Sequence, residues 1–457
     1  MGENRTAIFA CLAGRVSEVN KSVRYLIHLV FFYTCIEGVV FNILYPSLLP
    51  YVYKDIVILI VYFLVFRPNS SRLVPASPAI KKLAVPLLVF SVIMGIYLML
   101  PGTDLFMGLV ALKQRLFYIP LVSIAYSFVR SEEDLKYLFS MLGLYAIGAA
   151  IFGIYLYFTG PDGLRELGAH YFVEYRTPSY QLQGGEYWRV PGTFTSPGQY
   201  GAYLLFNGLV AMALLMTKST PRLWKFIAAA SLILIILAML VSGSRTPFIL
   251  LSASMGCLLL LSRKVPRVAA WGLVGYAVLA FGFSFLGPGV KDRFASIAAY
   301  EHVERFQTTY FGQLFLSDLV ENPFGSGLGV ATIGARHVSE LKEVELVESY
   351  FGILAIETGV LGLCVFIWVV VTIGALIFRH RKQRQGSPTN VLWSTLAVYV
   401  LLAILILPVS TEIDHAPSNL YFWFSVGALI KLADLERRKR WVVQTAGLLQ
   451  VAHQGIG

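Results

Sequence analysis

The sequence predicts an all-α, polytopic membrane protein of about 12 transmembrane helices, and two observations carry that prediction. Hydrophobic residues make up 57% of the 457-residue chain against 14% charged. Twelve apolar runs are also long enough to cross a bilayer core, which takes about 20 residues as a helix. They lie near 24–44, 50–66, 83–100, 108–128, 136–158, 196–216, 223–243, 244–262, 268–286, 349–378, 391–409 and 417–433. Runs of Leu, Ile, Val and Phe this numerous leave only helices as spanning elements, because each segment must satisfy its own backbone groups in lipid. A β-barrel is excluded.

Basic residues set the orientation. With both termini inside, the segments Met1 to Arg24, Arg67 to Lys82, Arg130 to Lys136, Lys218 to Lys225, Arg263 to Arg267, Arg379 to Arg384 and Lys431 to Arg440 hold 25 of the 37 Lys and Arg residues and 7 of the 26 acids. The inside then carries +18 and the outside −7, the asymmetry of the positive-inside rule. The net charge of +11 therefore reports orientation in a lipid bilayer, and nucleic acid is excluded as a partner. The layout is a cytoplasmic segment 1–23, one bundle over 24–433 with large outer loops at 159–195 and 287–348, and a cytoplasmic tail 434–457. Arg5 and the apolar residues after it look like a weak signal peptide. Arg15 and Glu18 follow at once without a convincing cleavage site, so a cytoplasmic lead is expected. The four cysteines offer no pair to the outer loops.

Along the chain, Glu37 is an ionisable group within an apolar run. It reads as a carboxylate near the outer interface bonded to a neighbouring helix. Lys113-Gln114-Arg115 is basic for the outer side, and two readings stand. The charges line a cavity and add positive potential to an anion site, or the helix boundary lies elsewhere and they snorkel to headgroups. Ser131-Glu132-Glu133-Asp134 reads as an N-cap followed by acids suited to a helix start. The outer loop 159–195 gathers Tyr171, Tyr175, Tyr180, Tyr187 and Trp188 beside His170, Arg165 and Arg176. Such residues stack on sugar faces or rest in an aromatic belt.

Two arginines stand out. Arg189 precedes Val190-Pro191-Gly192-Thr193-Phe194-Thr195-Ser196-Pro197, which closes that loop and opens an apolar helix. Arg245 lies in Ser242-Gly243-Ser244-Arg245-Thr246-Pro247, wedged between two apolar runs. Both are fixed at boundaries by Pro and Gly on the same expected side. Guanidinium forks match phosphate geometry bidentately, so two of them suit a pyrophosphate. Arg176 is a third candidate contact. Taken alone, each arginine also fits an interfacial residue snorkelling to lipid phosphate.

The outer segment 287–348 is long enough to expect function. Its portion 290–320 spaces Phe294, Ile297, Val303, Phe306, Phe311, Leu314 and Phe315 among charges, an amphipathic helical pattern capping the bundle. Asn322-Pro323-Phe324-Gly325-Ser326-Gly327-Leu328-Gly329 follows. Its glycines are a weak phosphate-loop signal with no Walker lysine. Then come Glu348-Ser349-Tyr350, opening a helix, and Glu357-Thr358-Gly359-Val360-Leu361-Gly362-Leu363 within it. His170, His302 and His415 have no partner at metal-ligand spacing, and no metal or cofactor is expected.

In these motifs the chain resembles the O-antigen ligase and O-antigen polymerase superfamily of bacterial inner-membrane glycosyltransferases. Three features carry the resemblance across 185–375: Arg189 through Gly201, the Ser242-Gly243-Ser244-Arg245 turn, and Asn322–Gly329 with Glu348–Leu363. It implies metal-independent, inverting transfer of a glycan from undecaprenyl pyrophosphate to a hydroxyl at the periplasmic face. The acceptor is another glycan or lipid A-core, and a chain-length regulator is a further partner to consider. Arg189 and Arg245 fall where that family binds the carrier pyrophosphate. Trp188, Arg176, Ser349 and Tyr350 join them as substrate-binding candidates. Ligases open the tenth helix with His-Asn, whereas this chain has Glu348-Ser349. Glu348 is the candidate proton acceptor, since a partly desolvated carboxylate gains basicity, and His337 is the alternative base.

Overall fold

The computed structural model describes residues 3–44, 49–66, 77–100, 103–166, 179–182, 185–262, 291, 319–332, 347, 349–382 and 390–454. Twelve helices are labelled among them: α1 (Glu3–Leu44), α2 (Leu49–Phe66), α3 (Pro78–Leu98), α4 (Leu105–Leu116), α5 (Leu121–Phe128), α6 (Glu132–Glu166), α7 (Pro197–Met216), α8 (Arg222–Ser242), α9 (Arg245–Ser262), α10 (Tyr350–Lys382), α11 (Asn390–Leu405) and α12 (Ser418–Gln454). Seven stretches among the described residues are long and apolar enough to cross a membrane: Lys21–Leu44, Pro78–Leu98, Leu105–Phe128, Glu132–Glu166, Pro197–Met216, Arg222–Ser242 and Tyr350–Arg381. They support a multi-pass membrane protein. The expected run 268–286 and the amphipathic stretch 290–320 lie outside the described residues.

The structure departs from the sequence reading in several places. The run 108–128 is divided between α4 and α5, because Pro120 lacks the N–H that a continuous helix needs. Helix extends back to Glu3 and on to Gln454, through the segments expected as lead and tail. The loop 159–195 contains an antiparallel hairpin of β1 (Ser179–Leu182) and β2 (Gly185–Trp188), with Ser179 opposite Trp188. Its strands are too short for alternation to show in the sequence.

Helix ends follow local chemistry. Ser77 and Ser196 cap α3 and α7, their hydroxyls accepting from Ala79 N and Gln199 N, with proline at each first turn. At the end of α8, Gly243 takes the left-handed conformation (φ 62°) of a glycine C-cap. The innermost span is α7, with 89% of its apolar window buried, and it packs against α6, α8, α9, α11 and α12. Its Phe206 ring stacks on Tyr421 of α12 at 4.1 Å. Phe63, Leu88, Phe158 and Phe226 are exposed around the outside, the surface a bilayer would cover. Of the thiols, Cys35 is buried, and Cys257 and Cys364 lie on exposed helix faces.

Charges within the apolar helices are paired across helices. Glu37 of α1 meets Lys54 of α2 at 2.7 Å, the neighbouring-helix bond expected for it. Asp55 of α2 pairs with Lys113 of α4 and accepts from Tyr118 Oη at 3.0 Å. Arg115 of α4 neither lines a cavity nor snorkels. Its guanidinium lies 2.5 Å from the Glu357 carboxylate of α10, both side chains wholly inaccessible. Thr332 Oγ1 donates to Glu357 Oε1 at 2.8 Å and accepts from Arg115 at 3.3 Å. Ala331 N donates to the same carboxylate at 3.0 Å.

That pair sits under a break in α10. Gly359 has φ 60° and ψ −156°, outside the helical region, and the turn that follows Asn322 takes up the freed backbone groups. Ser326 N donates to Ile356 O at 2.7 Å, Gly327 N to Glu357 O at 3.2 Å, and Val360 N to Pro323 O at 2.9 Å. A Cβ on Gly359 would overlap Pro323 O, and one on Gly325 would lie 2.6 Å from Gly359 N. The glycines of 322–329 therefore allow backbone to dock on backbone, which accounts for them without phosphate.

Removing one partner of a buried pair leaves a charge without compensation, at a cost of about 3–5 kcal/mol. Arg115→Ala is expected to lower thermal stability in detergent by that order. Arg115→Met combined with Glu357→Leu should recover most of it, because well-packed apolar residues replace such pairs with little loss.

Candidate anion-binding site

Both arginine-bearing turns pack on the N-terminal end of α7. The first is tied there through Tyr200. The Pro191-Gly192 turn closes with Phe194 N donating to Pro191 O at 3.1 Å, and Gly192 has φ 57°. A Cβ at Gly192 would lie 2.6 Å from the Tyr200 ring. On the other side of that ring lies Gly153 of α6, whose added Cβ would lie 2.7 Å from Tyr200 Cζ. Tyr200 is fully buried and donates to Ala149 O at 2.9 Å. Gly38 of α1 likewise admits the backbone of Phe194. Upstream, Trp188 and Val190 pack with Leu156 and Leu164 of α6, and half-buried Arg189 lies between them.

The second turn reaches the same place from α8. Ser242 Oγ donates to Met239 O at 2.9 Å and accepts from Ser244 N at 3.2 Å. Ser244 Oγ then donates to Pro197 O, in the first turn of α7, at 2.9 Å. A Cβ on Gly201 would lie 2.7 Å from Pro247. Arg245, half-buried, is the first residue of α9. Two helix N-termini, of α7 and α9, thus meet with an arginine on each approach. Unbonded amides and the positive end of the dipole make a helix N-terminus an anion site. Gly198, in the first turn of α7, has only Ser196 Oγ near its Cβ direction, at 3.9 Å.

The remaining candidates divide. Ser349 is buried and caps α10, accepting from Gly352 N at 3.0 Å. Tyr350 is buried, its ring 5.0 Å from Phe366. Tyr350 N donates to Leu407 O and Ser410 O, docking the start of α10 on the segment after α11. Ser349 and Tyr350 thus hold the helix start in place. Arg176, His337 and Glu348 lie outside the described residues, as do His170 and His302. Arg165 lies beyond the break of α6 at Gly160 and pairs with Asp162 at 3.1 Å.

Asp414, which the motifs do not single out, lies in a short 3-10 turn, Glu412–Asp414, between α11 and α12. It is 1% exposed. Burial pushes its carboxyl up to about 6, with Arg115 opposing and Glu357 adding to the rise. Burial pushes His415 down to about 4, so its imidazole is neutral near pH 7. The sequence signal was available: an acid in a brief polar interval between two apolar runs.

The apolar helices define a multi-pass helical membrane protein. No protein-family model matches the chain, and no curated protein matches it significantly.

Alanine at Gly192 would meet both a positive φ and the Tyr200 ring. Gly192→Ala is expected to lower thermal stability measurably, and Gly192→Ala with Tyr200→Leu to recover only the steric part. Equal stability of Gly192→Ala and wild type in a detergent melting assay would contradict the packing described.

Proposed function

We propose that the protein is a periplasm-facing, metal-independent inverting glycosyltransferase of the bacterial inner membrane, acting on glycans carried by undecaprenyl pyrophosphate. One observation carries the reading. The turns bearing Arg189 and Arg245 converge where α7 and α9 begin, joined by the Ser244 to Pro197 hydrogen bond. Departure of a pyrophosphate needs positive charge where negative charge develops, which the two arginines and the dipole ends of α7 and α9 would supply. Inversion at the anomeric carbon then requires an acceptor hydroxyl on the opposite face and a group to take its proton.

Polymerisation of O-antigen or exopolysaccharide repeat units is the preferred form, because Glu348-Ser349 stands where ligases carry His-Asn. Ligation to lipid A-core is the alternative within the class. The distinct reading, a flippase or transporter of lipid-linked sugar, draws on the break in α10 beside a buried ion pair, since broken helices with ionisable groups mark transport sites. The breaks at Gly160 and Gly359 both lie toward helix ends, leaving stretches long enough to span unbroken. Mid-membrane sites in transporters are built otherwise.

The test is a reconstituted assay with lipid-linked repeat units, alone and with lipid A-core. Arg189→Ala and Arg245→Ala are each expected to reduce transfer by about 100-fold or more, the order seen when one charge-stabilising donor is lost, with folded protein retained. Wild-type turnover in both variants would remove the mechanism. Longer glycans made without lipid A-core mark a polymerase. Loss in Glu348→Gln with activity kept in His337→Ala assigns the base to Glu348, and the reverse assigns it to His337.

A further inference from the structure

Three buried ionisable side chains lie within electrostatic reach of one another near the start of α10. Arg115 comes from α4, Glu357 from α10 and Asp414 from the turn before α12. Arg115 and Glu357 neutralise one another in direct contact, and Thr332 and Ala331 bond to Glu357. The Asp414 carboxylate is buried without a hydrogen-bond partner for either oxygen among the described residues. The charge of one guanidinium thus acts on two carboxylates. Among the residues whose side chains are described, the other titratable groups within electrostatic reach are Tyr350 of α10 and the neighbouring His415, which burial holds neutral. The first turns of α7 and α12, which pack on the same segment, carry no charged residue. Burying a carboxylate without hydrogen-bond donors disfavours its charged form and so raises its affinity for a proton. The carbonyl of Ser410, four residues before Asp414, accepts from Tyr350 N, which ties the Asp414 segment to the start of α10.

We infer that Asp414 is a proton-binding site which takes up the proton released by the acceptor hydroxyl during transfer. This rests on the transferase reading for its role, though not for its existence. In that step the anomeric C–O bond to the pyrophosphate breaks and its electron pair leaves with the phosphate. The acceptor oxygen forms the new anomeric C–O bond, and its proton passes through the base that first accepts it to the Asp414 carboxylate, giving a neutral carboxylic acid and returning that base to its starting form. No oxidant, reductant or metal enters the balance. Proton uptake also removes the excess negative charge from the buried cluster. The ionised form of Asp414 accepts the proton, so the rate rises with pH through about 6 and then levels.

Infrared titration of the full-length protein in detergent, wild type against Asp414→Asn, reads the proton site without any activity. A protonated-carboxyl band that titrates near pH 6 and is absent from the variant is expected. Identical spectra for the two proteins would overturn the inference. In the transfer assay, Asp414→Asn should lose about 100-fold or more in rate at pH 8, the order of a lost proton-transfer group, together with the rising limb of the pH profile. Retention of both wild-type rate and limb would overturn the assigned role. Should the asparagine variant fail to fold, Asp414→Glu serves instead, with the limb displaced along the pH axis; an undisplaced limb overturns the role. A titrating band in a protein that transfers no glycan from any lipid-linked donor would remove the transferase reading and leave the proton site standing.

Discussion

A guanidinium enclosed in an apolar bundle must be neutralised, and much of this structure follows from how Arg115 is. Its partner, Glu357, stands two residues before the break in α10. That break frees backbone groups which have no water to turn to. The turn 323–327 supplies the missing hydrogen bonds, while Thr332 and Ala331, from the end of the same segment, bond to the carboxylate. Ion pair, helix break and glycine turn therefore form one interlocked unit. Each part would be costly alone, and together they fix α4, α10 and the 322–332 segment in a single register.

The same economy governs the opposite side of the junction. Tyr200 is held between Gly153 and Gly192, two residues whose lack of a side chain lets α6 and the arginine turn approach one ring. Its hydroxyl finds the backbone of α6. Ser244 bridges the α8 to α9 turn onto α7, so the approaches to both helix N-termini are set by packing and short hydrogen bonds. Rigid support of this kind is what a site needs if charge is to be stabilised without reorganisation. Ser349 and Tyr350 contribute on the same principle. Their capping and burial hold the α10 start against the segment that carries Asp414.

Charge bookkeeping links the two halves. Glu37 with Lys54, Asp55 with Lys113, and Arg115 with Glu357 are each matched across helices. Asp414 is the carboxylate left over in the Arg115 cluster, and its raised proton affinity is the physical consequence. Mutual pairing explains how these ionisable residues persist inside apolar helices.

Much of the fold was legible in the chain. Hydrophobic run length gives the helices, Ser77 and Ser196 announce their starts, Gly243 marks an end, and Arg189 and Arg245 stand beside recognisable Pro-Gly and Ser-Gly-Ser turns. These are local properties, fixed by transfer free energy and backbone preference over a few residues. The split at Pro120 and the short hairpin were also locally encoded, though too weakly for pattern alone to reveal. Tertiary structure alone decided that Arg115 belongs to Glu357, that the glycines after Asn322 fill a broken helix, and that Asp414 is buried without a partner. Those outcomes depend on which distant segments share a low-dielectric interior, where the energy of a charge is set by its neighbours in space and hardly at all by its neighbours in sequence.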